Sequence, residues 1–178
     1  VSAEAVAWCQ AEIATRDRRF RFRHVNVRNT SYNREGTTPA SSFAFPYDDG
    51  ACDFIFLTSV FTHMLPADVR RYLDEIVRVL APGGRCLATL FLLNDESLRL
   101  IRSGLSPVFD FKHRFDGFRA NSPDEPEQAV AYEESDIRSW FRSAGLEWTR
   151  PPAYGRWCTR WGGLSLQDIV VAAKAVQS

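Results

Sequence analysis

The chain has 178 residues, of which 45% are apolar and 25% charged, and its 22 basic side chains balance 22 acidic ones. This length suits one ordinary domain, and the composition is typical of a soluble globular protein. The balanced charge gives no general attraction to nucleic acid or to a membrane surface. The longest apolar run, 86–93, is far shorter than the ~20 residues of a membrane-spanning helix, and no secretory leader begins the sequence. We therefore expect a cytoplasmic protein with no membrane partner.

The N-terminal segment predicts a helix and then a strand. Ser2 is a suitable N-cap, Glu4 lies in the first turn, and apolar residues recur at helical spacing over 3–15. The stretch FRFRHVNV, residues 20–27, alternates apolar and charged side chains as a strand does. The polar stretch 28–42 that follows is predicted to be a loop.

The middle of the chain predicts a strand, a helix and a second strand. The stretch ACDFIFLTSVF, residues 51–61, follows the turn signal DDG and is apolar enough to predict a strand covered on both faces. Helical spacing of apolar residues over 69–80 ends at Pro-Gly-Gly, and a second strand is predicted over 85–93. Such a βαβ unit has parallel strands. Two ion pairs are predicted on the wet side of its helix, Arg71 with Glu75 and Asp74 with Arg78.

The C-terminal part predicts two more helices, an insertion and two final strands. A short helix runs from Asn94 to Ser103, and Ser135 caps another that ends at Ala144 before Gly145. Between them, the alternating stretch 109–115 is predicted to pair with 129–132, as an inserted hairpin over about 105–133. The final strands are predicted in LEWTR and LQDIVVAAKA, joined by GRWCTRWGG.

Three of these stretches together resemble a known family. CDFIFLTSVFTHML, VLAPGGRCLATLF and LQDIVVAAKA resemble the second half of the class I S-adenosylmethionine-dependent methyltransferases. The resemblance implies an α/β, Rossmann-like sheet, mostly parallel, in the order 3-2-1-4-5-7-6 with strand seven antiparallel. It makes 20–27 strand three, 52–58 strand four and 85–93 strand five, and the two C-terminal strands become six and seven.

The resemblance also implies that 1–178 is a partial methyltransferase domain that lacks strands one and two. The family's glycine-rich motif and its ribose-binding acid belong to that part, and the single methionine, Met64, leaves Val1 as an unusual natural start. Strand four would then have an open apolar edge, which favours pairing with another chain. We expect these residues alone to aggregate, to associate with themselves through that edge, or to shift strand three against strand four.

The residues expected to bind S-adenosylmethionine end strands three and four, since ligands of open α/β sheets bind beyond the carboxyl ends of the strands. Asn26 and Val27 end strand three, where the family usually has an acidic side chain for the adenine amino group. The carbonyl of Asn26 can accept the same hydrogen bond, or the residue can simply form a turn. Thr58 and Ser59 end strand four beside the cofactor's methionine arm, with Phe61 nearby, unless their hydroxyls only cap the next segment.

His63 is the candidate catalytic residue because it lies in the loop after strand four. Imidazole titrates near neutral pH and can take a proton from an acceptor hydroxyl or amine, although a histidine before a helix is also a common surface or capping residue. Methyl transfer mainly needs alignment of the reactants, so the activity does not require a base.

The acceptor is expected to be a small molecule bound under the insertion and the loop with Tyr154, Trp157 and Arg160. Aromatic rings beside an arginine suit a flat, sugar-like or anionic compound, or else they anchor the loop itself. The arginines of RDRRFRFR, residues 16–23, alternate on the wet face of a strand, so no nucleic-acid partner is expected.

No metal site is expected, because the three histidines are far apart and the four cysteines form no C-x-x-C pair. The sequence thus predicts an S-adenosylmethionine-dependent methyltransferase, represented by a fragment. The alternative is a catalytically inert interaction module built on the same half-fold, with its open edge as the contact surface.

Overall fold

A computed structural model describes residues 2–104 and 109–175 of the chain. Its elements alternate between helices and strands along the sequence. They are α1 (Ala3–Cys9), β1 (Val27–Arg28), β2 (Thr38–Pro39), β3 (Cys52–Leu57), α2 (Pro66–Val79), β4 (Leu80–Leu90), β5 (Leu92–Leu93), α3 (Asp95–Arg102), β6 (His113–Phe115), β7 (Phe118–Ala120), β8 (Val130–Glu133), α4 (Glu134–Ala144), β9 (Leu146–Trp148) and β10 (Asp168–Lys174).

The main sheet has the strand order β3-β4-β10-β9. Strands β3 and β4 are parallel and joined by α2, whereas β10 runs antiparallel to both of its neighbours, β4 and β9. This arrangement confirms the predicted βαβ unit, and it matches the 4-5-7-6 portion of the strand order that the resemblance implies. The fold is α/β with a mostly parallel sheet and an antiparallel last strand, as expected.

The Pro-Gly-Gly segment makes the passage from α2 into β4. Strand β4 pairs with β3 at Leu80 and again from Arg85 onward, so residues 81–84 form an irregularity between two points of regular register. Gly83 has a φ of 75°, which favours glycine. At Gly84 a Cβ would lie 2.9 Å from the Ala81 carbonyl oxygen, so the close passage of the chain also requires glycine.

In the part of the chain that the structure describes, β3 is covered on one face only, which corrects the prediction for this strand. Helices α2 and α4 bury the face that carries Leu57, Cys86 and Ala88. On the opposite face, Phe54 and Phe56 are 54% and 67% exposed. The apolar run was interpreted as a doubly covered strand, but run length alone does not reveal what packs on each face, and α1 buries none of its residues.

The strand predicted over 20–27 is also corrected. Only Val27 and Arg28 are in a strand, and they pair in parallel with Thr38–Pro39 from the segment predicted as a loop. Residues 20–26 alternate in sequence but have no neighbouring strand in the described chain. Alternation identifies a strand only where a partner supplies the backbone hydrogen bonds.

The segment predicted as an insertion contains one more strand than expected. Strand β7 pairs antiparallel with both β6 and β8. The predicted direct pairing of 109–115 with 129–132 is therefore wrong. The tight turn between β6 and β7 contains Asp116–Gly117, a typical two-residue hairpin signal that the prediction overlooked. Strand β8 then pairs in parallel with β5, and residues 105–108 of the predicted insertion lie outside the described residues.

The predicted helices are present with small differences at their ends. The first continues beyond Cys9 as a π-helical turn over Gln10–Ala14, and the Ser2 side chain accepts a hydrogen bond from the Ala5 N–H as expected. Helix α4 begins at Glu134, so Ser135 lies inside it rather than capping it, while Gly145 ends it in the left-handed conformation. None of the helices in the described residues is long and apolar enough to cross a membrane.

Candidate functional site

A cavity of about 640 Å³ extends along β3, between this strand, the β1 region and α2. Its walls are mainly apolar and aromatic. The loop before β3 contributes Phe43, Phe45 and Tyr47, the segment before α2 contributes Met64, α2 contributes Tyr72, and the β3 wall includes Ile55 and Leu57. A mainly apolar cleft with a few polar groups is the usual character of a small-molecule site.

Ser59 gives this cavity its edge at the carboxyl end of β3. Its φ is 54°, in the left-handed region that few residues other than glycine adopt. The Ser59 N–H donates to the Thr89 hydroxyl at 2.8 Å, and the Gln167 amide donates to the Ser59 hydroxyl at 3.0 Å. These bonds hold the unusual backbone in place, and such conformations occur most often at functional sites.

His63 projects into the same cavity from the loop that follows β3. Its Nδ1 lies 3.1 Å from the Glu127 backbone oxygen, and its Nε2 lies 3.3 Å from the Tyr32 hydroxyl. The rings of Tyr32 and His63 meet edge to face with centroids 4.8 Å apart. The predicted catalytic residue is thus held at both ring nitrogens.

The buried carboxylate of Glu127 is the anchor for the loop that carries Tyr32. It accepts hydrogen bonds from the Thr30 N–H at 2.8 Å and from the Thr30 hydroxyl. The Asn29 amide donates to Glu127 at 3.4 Å and to the His63 carbonyl at 2.8 Å. Sequence reasoning missed Asn29, Tyr32 and Glu127, because the loop gave no periodic signal and Glu127 is 64 positions away from His63.

Of the predicted cofactor residues, Val27 and Ser59 line the cavity. The Asn26 carbonyl oxygen accepts from the Asn33 amide at 3.1 Å, and its amide donates to Thr37, so this side chain already has partners within its loop. Thr58 is exposed at the end of β3. Phe61 is completely buried and packs edge to face on Phe141, so its side chain belongs to the core.

Burial raises the pKa values of one aromatic and one acidic side chain in the cavity wall. Burial raises the pKa of Tyr72 to about 12, with a further contribution from the charge of Asp68. It also raises the pKa of Asp68, which accepts a hydrogen bond from the Leu65 N–H at the start of α2. Tyr72 is therefore a neutral hydrogen-bonding group at neutral pH.

The three residues predicted to bind the acceptor form a separate polar cluster. The Trp157 indole N–H donates to Asp168 at 2.8 Å, and the guanidinium of Arg160 bonds to Glu96 at 2.9 Å and lies over the Tyr154 ring. Trp157 is completely buried, and none of the three lines the cavity. These contacts anchor the loop, and acceptor binding by these residues stays a prediction.

Metal-binding side chains do not converge at either place. Among residues 2–104 and 109–175, no three His, Cys, Asp or Glu side chains lie close enough together to hold an ion.

An open α/β sheet with a cavity that reaches the carboxyl end of a parallel strand is typical of a ligand-binding Rossmann-like domain. A protein-family model described as a methyltransferase domain matches residues 1–88, which include β1, β3, α2 and His63. Residues 1–88 thus match a methyltransferase domain, and the fold of the chain is that of a SAM-dependent methyltransferase, in agreement with the sequence resemblance.

Solved structures agree with this assignment of the fold. The chain is similar to a SAM-dependent methyltransferase from Methanosarcina mazei, with 20% identity, a TM-score of 0.58, and coverage of 99% of this chain and 80% of that one. It is also similar to the 1,6-didemethyltoxoflavin-N1-methyltransferase of Burkholderia thailandensis, with 15% identity and a TM-score of 0.44. That match covers 77% of this chain and 48% of the Burkholderia protein, so the chain spans about half of that relative's length.

Proposed function

We propose that this chain contributes to the methylation of a small-molecule acceptor, with S-adenosylmethionine as the methyl donor. The observation that supports this most directly is the position of His63, which follows the carboxyl end of β3 and lines the mainly apolar cavity beside that strand. The match of residues 1–88 to a methyltransferase domain supports the choice of donor.

The cavity fits parts of the donor better than others. Its aromatic walls suit an adenine ring, and Ser59, which lines the cavity at the strand end, lies where the donor's methionine arm is expected. Its two lining carboxylates, Asp68 and Glu127, already accept backbone N–H groups, so neither is a ready partner for ribose hydroxyls. We propose that Val27 and Ser59 contact the donor, with Asn26 and Thr58 at its margin and Phe61 supporting the loop from the core.

His63 acts as the base in the proposed reaction. Its neutral Nε2 takes the proton from an acceptor O–H or N–H while that oxygen or nitrogen forms a bond to the methyl carbon. When bound, the donor supplies an activated methyl group, whose bond to sulfur breaks with the electron pair passing to sulfur. The proton remains on the imidazolium until solvent removes it. General-base catalysis of this kind is typically worth about 10²–10⁴-fold in rate.

Calorimetry with S-adenosylhomocysteine on the full chain tests donor binding, and a screen of hydroxyl- and amine-bearing small molecules with labelled S-adenosylmethionine tests methyl transfer. His63→Ala should leave S-adenosylhomocysteine binding unchanged and lower transfer by about 10²–10⁴-fold. His113→Ala is the matched control, because His113 lies on β6 and does not line the cavity. Absence of binding heat at saturating S-adenosylhomocysteine would contradict the proposal.

A second candidate function is an inert interaction module, and the exposed edge of β3 favours it. Strand β3 is the edge of the main sheet and carries the exposed rings of Phe54 and Phe56. An apolar edge strand with unpaired backbone groups can add a strand from a second copy. Binding of S-adenosylhomocysteine without any methyl transfer, together with concentration-dependent dimers, would favour the module over the enzyme.

A further inference from the structure

We infer that Glu127 and Asn29 are positioning residues for His63: together they fix the imidazole in the Nδ1–H tautomer and leave Nε2 as the proton acceptor that faces the cavity. The inference deepens the proposed function, and its role in methyl transfer rests on that function. Its structural part concerns the tautomer of one histidine, which can be measured without any acceptor.

The tautomer follows from the partner of Nδ1. A backbone carbonyl oxygen only accepts hydrogen bonds, so the 3.1 Å contact between Nδ1 and the Glu127 oxygen requires a proton on Nδ1. In the neutral ring Nε2 then carries the lone pair. The Tyr32 hydroxyl, 3.3 Å away, is the donor to it.

The Glu127 carbonyl stays at this distance because the side chain of the same residue is hydrogen-bonded to Asn29 and Thr30 in the loop after β1. The carboxylate is 8% exposed and accepts from the Thr30 N–H and hydroxyl, while the Asn29 amide bridges Glu127 and the His63 carbonyl. The Asn29 oxygen in turn accepts from the Ser31 and Tyr32 N–H groups at 3.0 and 2.9 Å. One asparagine therefore connects the carboxylate, the histidine and the tyrosine.

This arrangement selects the chemistry of the acceptor. The Tyr32 hydroxyl donates to Nε2 in the absence of an acceptor, and its side chain is 59% exposed, so it can move away without disturbing the core. An acceptor that replaces it must offer a donor of its own. We therefore assign the site to acceptors that carry a hydroxyl or an N–H at the methylated atom.

Within residues 2–104 and 109–175, the charged and titratable groups nearest to His63 come from several elements, and Arg28 of β1 and Tyr72 of α2 line its cavity. Tyr32 contacts the ring from the loop after β1, Glu127 from the segment between β7 and β8, and Asp68 lines the same cavity from α2. The tautomer is measured at a pH above the usual range for histidine side chains, so that the ring is neutral. The measurement requires no change in the charge of Glu127 or Asp68.

The test is ¹⁵N NMR of the full chain labelled at histidine, with the His63 signals identified by their loss in His63→Gln. Two-bond ¹H–¹⁵N correlations distinguish a protonated ring nitrogen from one with a lone pair. We expect a protonated Nδ1 in about fivefold to tenfold excess, the ratio that the net free energy of one hydrogen bond sustains. A protonated Nε2 in the unmodified chain would overturn the inference.

Two variants separate the positioning role from general destabilisation. Asn29→Asp keeps the oxygen that accepts from Ser31 and Tyr32 but loses both amide donors, and Glu127→Ala releases the loop. In each, the excess of the Nδ1–H form should fall to less than about twofold, while Tyr32→Phe should keep the tautomer and change only the Nε2 shift. An unchanged ratio in Asn29→Asp, with unchanged circular dichroism, would contradict the role of the asparagine.

The same samples distinguish failure of this inference from failure of the proposed function. S-adenosylhomocysteine binding is expected to be within twofold of the unmodified chain in Asn29→Asp. If the chain has the Nδ1–H tautomer but neither binds S-adenosylhomocysteine nor transfers methyl groups, the methyltransferase proposal is refuted. The inference about the positioning residues then still holds.

Discussion

Replacing Glu75 by alanine is expected to destabilise the fold strongly, although this residue lies outside the candidate site. Glu75 is 3% exposed on α2, and its carboxylate accepts from the Phe45 N–H at 2.6 Å and from Arg78 at 2.7 Å. It also pairs with Arg71 at 3.0 Å. Arg78 continues the network to the Phe45 and Tyr47 carbonyls, at 2.9 Å each. The network fixes the aromatic loop that forms one wall of the cavity.

The magnitude follows from what alanine would leave behind. The Phe45 N–H would lose its acceptor in the buried part of the network, whereas the side chains of Arg71 and Arg78 are 32% and 31% exposed and can still reach water. Removing one partner of a buried ion pair typically costs about 3–5 kcal/mol, and this exposure puts the expected loss at the lower end of that range. Since single domains are stable by about 5–15 kcal/mol in total, Glu75→Ala should lose a third or more of a typical stability.

Urea denaturation followed by circular dichroism measures this loss, and its pH dependence identifies the ionised carboxylate as the cause. Hydrogen bonds from Arg78 keep the pKa of Glu75 below its usual value. A carboxyl group with a lowered folded-state pKa stabilises the fold above its unfolded pKa of about 4.3, and this contribution is lost as the pH falls through the folded value. Glu75→Gln should therefore lack one component of the acid destabilisation.

Asp74→Ala is the matched control on the same helix. Asp74 is exposed, and an exposed substitution of this kind should change stability by less than about 0.5 kcal/mol. Weak surface ion pairs contribute about 1 kcal/mol at most. A free energy of unfolding of Glu75→Ala that differs from that of the unmodified chain by no more than this amount would refute the reasoning.

Three further predictions concern other parts of the molecule. Phe56→Lys should lower self-association in sedimentation velocity runs without changing the far-ultraviolet spectrum, because Phe56 is exposed on the open edge strand; equal dimer content would exclude this surface. Trp157→Phe should lower the free energy of unfolding by about 1–3 kcal/mol in urea, since Asp168 loses a buried donor, and a neutral effect would show that the indole N–H is dispensable. Burial raises the pKa of Cys86 to about 12, so iodoacetamide at pH 8 should modify the partly exposed Cys9 and Cys52 well before Cys86, and equal rates by mass spectrometry would contradict this.

The central βαβ unit could be predicted because its signals are local. The helical spacing of α2, the Pro-Gly-Gly segment and the apolar run of β4 each correspond to a conformation over a few neighbouring residues. The parallel pairing then follows from chain connectivity, because two strands joined by one helix can hardly pair in another way. The antiparallel direction of β10 was predicted from the family resemblance instead, because no local pattern determines strand order.

Predictions that depended on a distant partner were less accurate. The alternation of residues 20–27 gave no information on whether another strand would lie beside it, and only Val27 and Arg28 pair. The predicted ion pair of Asp74 and Arg78 is also wrong: Arg78 instead contacts Glu75 on the same helix and Asp49, 29 positions earlier in the chain. A pair four residues apart on a helix is optional, whereas a buried guanidinium takes the partners that the tertiary fold provides.

The candidate site combines both kinds of information. His63 could be proposed from its place after a parallel strand, because the carboxyl ends of such strands are where ligands bind. The groups that determine its chemistry come from the loop at 29–33 and from the insertion at 126–128, and only the folded chain brings them to the two ring nitrogens. An insertion that forms its own strands β6–β8 can therefore change the base of the site while β3 and α2 remain the same. We accordingly expect the acceptor preference of this domain to follow the segment between β7 and β8 and the loop at 29–33 that it holds, since the geometry of a βαβ unit alone does not determine which tautomer His63 adopts.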